Sequence, residues 1–296
     1  MASDSRRGIL FMVAATLVFA IMDGLSRVVA ERYGVIMVVM IRYWFFAGFV
    51  VLLAARRPGG VRAAAATAFP LLQALRGVLL ALEVCLTVTA FVWLGLIETH
   101  ALFASYPLMI AALSGPVLGE RLGWRRWASI AAGFAGVLII LDPGGRVFSP
   151  AALIALSGAL VFAIYGLLTR YVARRDRSEV SLFWAGVVGA VAISAVGAFH
   201  WQNIAPEDWG WVAALSVAGL LGHWLLIKAY DAAEASVVQP FAFLQLVFIA
   251  VIGVAVFHES LRGGLVLGAA LVVAAGLFTL WRAHPGRGDG APPGGA

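Results

Sequence analysis

The chain has 296 residues, of which 62% are hydrophobic and only 12% charged. A soluble domain is about half apolar and a quarter charged, so this composition excludes a water-soluble globule and implies an integral membrane protein seated in a lipid bilayer. The formal net charge of +6 does not imply a nucleic-acid partner, because the basic residues fall in short clusters between apolar runs, which is a topology signal.

A spanning helix needs about 20 mostly apolar residues. The first such run, 8–29, follows Arg6 and Arg7 as a signal peptide would. No small-residue cleavage site follows, whereas Asp23 and Arg27 do, so the run reads as an uncleaved first span. The second span, 35–55, runs back and carries Arg42 at a depth similar to that of Asp23. At 1.5 Å per residue the two are expected to meet, as an ion pair, a gate or a proton site.

After the break at Arg56–Arg62 comes the third span, 68–92, with the stretch LQALRGVLLALEVCL. Arg76 and Glu83 lie two turns apart in it, on one face and about 10 Å apart along the axis. Arg76, in the inner half, suits snorkelling, binding of carbonyls at a broken helix, or recognition of an anion. Glu83 is too deep to snorkel. It is either protonated and hydrogen-bonded or faces a wet cavity.

The fourth span, 99–119, holds Tyr106-Pro107, and the fifth is 124–141. The sixth, 150–170, holds Tyr165; the seventh is 180–199; the eighth, 209–228, holds His223 and Trp224. The ninth, 235–257, holds Gln239-Pro240 and Gln245, and the tenth is 263–281. Pro107 and Pro240 are expected to bend their helices where unwound backbone faces a cavity. Tyr165 and Trp224 are candidates to stack on a flat solute, and Tyr106, Gln239, Gln245 and His223 to line its path.

Ten spans with the amino terminus inside divide the loop cations fifteen to four, the four outside being Arg27, Arg32, Arg146 and Arg262. Both termini are therefore expected in the cytoplasm. The stretch DPGGRVFSP separates two groups of five spans. The expected division is a first repeat 1–141, a linker 142–150, a second repeat 151–281 and a disordered tail 282–296. The halves end alike, in LGERLGWRRWASIAAGFAGVLIIL and FHESLRGGLVLGAALVVAAGLFTL. Five is odd, so the repeats are inverted, as in many secondary transporters.

The order and spacing of Ile41-Arg42-Tyr43, Leu75-Arg76-Gly77, Tyr106-Pro107, Gly119-Glu120, Gly222-His223, Ala229-Tyr230, Gln239-Pro240-Phe241 and Glu259 resemble EamA-type members of the drug/metabolite transporter superfamily. Many relatives carry Lys where this chain has Arg27, which removes a lysine-based role there. The resemblance implies an all-α polytopic protein of ten helices in two inverted five-helix repeats around a central cavity, moving small metabolites across a bacterial inner membrane. It also implies an amino acid exporter, with aromatic amino acids the best single choice of solute.

There is no GxxxxGK[ST], HExxH or GxSxG, and Cys85 is the only cysteine. An ATP-driven pump, a zincin, a serine-elbow enzyme and a cysteine metal cluster are thus not indicated, and neither cofactor nor metal is expected. The working reading is a secondary transporter, driven by its solute gradient or by a proton carried on Glu83 or Asp23. Transport of another metabolite or drug class is the alternative, ahead of a multipass enzyme or scaffold.

Overall fold

The structure, a computed structural model, describes residues 2–118, 124–141, 149–233 and 235–283. The expectations placed on Gly119-Glu120, on most of the 142–150 linker and on the tail beyond 283 lie outside the described residues. Among those described the chain is helical: α1 (Ala2–Tyr33), α2 (Val35–Ala55), α3 (Gly60–Ala65), α4 (Pro70–Trp93), α5 (Leu96–Phe103), α6 (Tyr106–Leu118), α7 (Trp124–Leu141), α8 (Pro150–Val172), α9 (Ser178–Gly197), α10 (Trp209–Ala232), α11 (Ala235–Ala242), α12 (Leu244–Phe257) and α13 (Gly263–Ala283). Eight segments are long and apolar enough to cross a membrane, and 127–141 and 263–278 are shorter apolar helices.

Two spans are broken. The fourth is α5 and α6, parted at Ala104-Ser105, and the ninth is α11 and α12, parted at Phe243. Pro107 therefore does not kink one long helix. It sits in the first turn of α6, where the N–H it lacks would have no helical partner. Pro240 does lie inside its helix, α11.

The packing repeats itself with the halves exchanged. α1 packs along α10 as α8 packs along α4, and α2 meets α9. α1 also packs on α12 and α11, and α8 on α6 and α5. α7 and α13 pair most closely where Gly136 and Gly268 face each other's backbone carbonyls, which a Cβ on either would meet at 2.8 and 2.6 Å. Apolar surface alone gives no net drive for helix association in lipid, so such close approach is what holds the pair.

α5 also packs on α12, which closes the bundle at the end where α5 begins.

Candidate functional site

The closed end is built on a helix start. α12 stops at His258, whose φ of 54 is left-handed, and the Glu259 N–H donates back to the Gly253 carbonyl at 2.9 Å. This reversal aims the Glu259 carboxylate at the first turn of α5. There it accepts from the N–H groups of Leu96 and Ile97 at 2.8 and 2.9 Å. Those donors have no partner within their own helix, and the helix dipole favours an anion there. Arg27 of α1 donates to the same carboxylate and lies over the Phe257 ring, 4.4 Å from its centre. Gly95 has φ +99, and a Cβ on it would stand 2.7 Å from Glu259 Oε1. Both the backbone shape and the approach of the carboxylate thus require glycine.

One turn deeper, α1, α5 and α12 meet again. His100 Nε2 stands 3.2 Å from Asp23 Oδ2, and Gln245 Nε2 donates to the same oxygen at 3.0 Å. The Phe91 ring lies parallel to the His100 ring, with centres 5.1 Å apart. Asp23 and Arg42, expected to meet, take different partners. Arg42 donates to Ser26 Oγ at 3.1 Å and to Met22 Sδ at 3.4 Å.

Arg42 stands on the wall of a cavity of about 170 Å³ between α1, α2, α4 and α10, with Tyr43, Phe46, Leu80, Val84 and His223. His223 Nδ1 donates to the Gly219 carbonyl at 2.8 Å, and its ring meets Phe19 and Phe46. Glu83 is buried and accepts from Thr87 Oγ1 at 2.7 Å. It is within electrostatic reach of Arg42 and Asp23, but its neighbours Leu80 and Val84 line the cavity. Trp224 is exposed on the side of α10 and meets Phe11 edge-on.

Toward the opposite end Arg76 is 1% exposed. It donates to Thr169 Oγ1 at 2.9 Å, to Gln73 Oε1, and to the Tyr165 hydroxyl at 3.3 Å, and it lies 4.9 Å from the centre of the Tyr165 ring. That ring continues a cluster across α5, α6 and α8. Phe162 stacks on Tyr165 at 5.8 Å and meets Tyr106 edge-on at 4.8 Å, and Phe103 touches both Tyr106 and Phe162. All four rings are partly exposed. Tyr106 is also within electrostatic reach of Tyr230 on α10. The side chain of Gln239 lies outside the described residues.

Sequence reasoning missed His100 and the Arg27–Glu259 latch. It also missed a stronger repeat than the one it used. Residues 17–21 and 160–164 both read Leu-Val-Phe-Ala-Ile, and six residues further on stand Arg27 and Arg170. In that register Ser26 matches Thr169 and Met22 matches Tyr165. The two arginines within the spans use these matched positions: Arg42 reaches Ser26 and Met22, and Arg76 reaches Thr169 and Tyr165.

The model of the EamA-like transporter family matches residues 6–142 and 149–281. A riboflavin transporter of Vibrio cholerae is 27% identical over 289 residues, 95% of each chain. A riboflavin transporter of Rhizobium johnstonii is 34% identical over 226 residues, 74% of this chain and 72% of that one. An S-adenosylmethionine uptake transporter of Rickettsia prowazekii is 25% identical over 277 residues, 93% of this chain and 92% of that one. The chain belongs to the EamA-like transporter family: it is an integral membrane transporter of small molecules and not an enzyme.

Proposed function

Taking that membership as the premise, we propose that the chain is a secondary transporter for a small metabolite with a flat heteroaromatic ring, riboflavin being the favoured solute. The observation that carries this is the ring cluster of Phe103, Tyr106, Phe162 and Tyr165 beside Arg76. Partly exposed rings offer a π-face to a planar solute, and an adjacent guanidinium is a donor for its carbonyls. The relatives support the choice, since riboflavin and S-adenosylmethionine both contain fused heteroaromatic rings and none of the three is named for an aromatic amino acid. The amino acid exporter suggested by family resemblance thereby gives way to a larger ring.

The rest of the reading follows from the loop charges and the packing. Both termini lie on the cytoplasmic side of a bacterial inner membrane, and the end closed by α5 and α12 faces outward. Alternating access comes from rocking the repeats 1–141 and 151–281 against each other. Arg42, Glu83, Asp23, Gln245 and His223 then belong to the outer part of the pathway, and Tyr106, Tyr165 and Arg76 to the inner part.

Counterflow in liposomes holding the purified chain tests this. Labelled riboflavin is expected to exchange with unlabelled riboflavin inside, and S-adenosylmethionine, phenylalanine, tyrosine and tryptophan make up the panel. Exchange of tryptophan without riboflavin returns the reading to aromatic amino acids. Exchange of none of the five overturns it.

A further inference from the structure

The contacts of His100 fix a proton count. Its Nδ1 lies 3.1 Å from the Leu96 carbonyl, which can only accept, so Nδ1 carries a proton. A neutral imidazole then has a bare lone pair on Nε2. That nitrogen faces Asp23 Oδ2 at 3.2 Å, and an ionised carboxylate is also acceptor-only. The contact needs one more proton, placed on Nε2 as an imidazolium or on Oδ2 as a carboxylic acid. Moving the ring proton to Nε2 does not help, because Nδ1 would then face the Leu96 carbonyl with a lone pair. Deprotonated once, the pair has one N–H for two acceptors.

The surroundings favour the protonated pair. The Phe91 ring lies parallel to the imidazole and offers its face to a cation. Gln245 directs one of its two N–H groups to Asp23 Oδ2, and among the described residues it makes no hydrogen bond to His100. The charged and titratable neighbours among the described residues are Arg27 and Glu259 one turn toward the closed end, Glu83 from α4, and Arg42 and His223 at the cavity. Arg27 and Glu259 serve each other, and Glu83 is held by Thr87. The repeat position of Asp23 is Gly166, and that of His100, counted from the α5 and α11 starts, is Gln239. The fold therefore does not demand an ionisable pair here, and only one half has one.

We propose that His100 and Asp23 form a proton-binding site whose occupancy holds the α5–α12 end shut and so couples transport to a proton. On release, the proton shared by Nε2 and Oδ2 passes to water. The two remaining acceptors then repel, which drives α5 away from α1 and α12 and opens that end. Rebinding a proton closes it. The proposal rests on the transporter reading above, but its first test needs no solute.

In a Cys85→Ser background, Thr99→Cys places a thiol on α5 at a site now fully buried. Its labelling by an impermeant maleimide, normalised to Leu261→Cys at an exposed position, is followed from pH 5 to pH 9 in liposomes. The normalised rate is expected to rise about tenfold with pH, as the acceptor contact loses its proton. Asp23→Asn supplies a fixed N–H to Nε2, and His100→Gln removes the titrating ring. Both are expected to hold the rate at its low-pH value at every pH. A rate flat with pH in the parent, or a pH dependence surviving in both folded variants, overturns the proposal. The second measurement is riboflavin accumulation driven by a pH step, expected to drop about tenfold or more in both variants. If the parent moves no riboflavin while its labelling follows pH as above, the choice of solute fails and the proton site stands.

Discussion

The helix segments 17–27 and 160–170 are copies, with the same Leu-Val-Phe-Ala-Ile start and the same closing arginine. Their surroundings differ in kind. The α1 copy carries Asp23, held by His100 and Gln245, and its Met22 and Ser26 receive a cavity-lining arginine. The α8 copy has Gly166 in place of the carboxylate and Tyr165 in place of methionine, and it receives a fully buried arginine. In the roles proposed above, the first half serves a proton and the second a planar ring. An inverted repeat supplies two symmetric frames, and a few substitutions at matched positions give each frame its own chemistry.

The largest expected effect separates the two arginines. Arg76 spends donors on Gln73, Thr169 and Tyr165 with almost no contact with solvent. Arg76→Leu leaves those groups unpartnered and is expected to cost at least about 3 kcal/mol of stability, since bonds to a charged group are worth about 1.5–3 kcal/mol each. Arg42→Leu removes a partly exposed group from a cavity wall and is expected to cost about 1 kcal/mol or less, while lowering transport. Thermal unfolding in detergent, together with counterflow, checks the pair. If Arg42→Leu is the more destabilising, the assignment of one arginine to structure and the other to the pathway is reversed.

A smaller effect is expected when the second copy is given the residue of the first. Tyr165→Met keeps an apolar side chain of similar length and removes the ring and the hydroxyl. Loss of the cation–π contact and of one hydrogen bond is expected to cost about 1 kcal/mol. The half-saturating riboflavin concentration is expected to rise about tenfold, the equivalent of about 1.4 kcal/mol of stacking. An unchanged value would remove Tyr165 from the solute's path and weaken the contrast between the halves.

How much of this was legible in sequence follows from what each feature depends on. The ten apolar segments and the cationic loops are local signals, read through the period and length of the spans. Arg76 was conspicuous, but its partners Thr169 and Tyr165 lie on α8, and spacing within α4 does not reveal them. The breaks at Ala104-Ser105 and Phe243 carry no proline of their own, so the proline positions pointed two to three residues away from them. His100 looked like an ordinary helical histidine until α1 and α12 were packed against it. The 17–27 and 160–170 copies were legible throughout. They were missed because the comparison of halves started from their ends, where identity is lower.

The smallest expected effect concerns a second matched pair, at the turns that follow the two copies. Tyr33, the last residue of α1, accepts from the Ala205 N–H at 3.0 Å and donates to Asp208 at 2.7 Å. Its repeat counterpart is Asp176, after α8, which accepts from the Ala68 N–H at 2.9 Å, from Gln73 Nε2 at 2.8 Å and from the Thr67 hydroxyl. Each tethers one half to a loop of the other, but only the aspartate loses its charge in acid. Burial pushes the Asp176 carboxyl upward, and the bonds from Thr67, Ala68 and Gln73, with Arg76 nearby, outweigh it, so the group sits below the usual carboxylate range. A carboxyl lowered in the folded state adds stability that is complete above the unfolded value, about pH 4, and is lost as pH falls through the folded value. The apparent melting temperature of Asp176→Asn should therefore lie a few degrees below that of the parent at pH 7, and the gap should narrow as pH falls below about 4. Because the comparison is a difference between two proteins, acid effects on Asp208 and other carboxylates cancel. A gap that persists unchanged to pH 3 would mean that Asp176 holds its loop by shape and hydrogen bonding alone, as Tyr33 does, and the two turns would then differ in residue but not in chemistry.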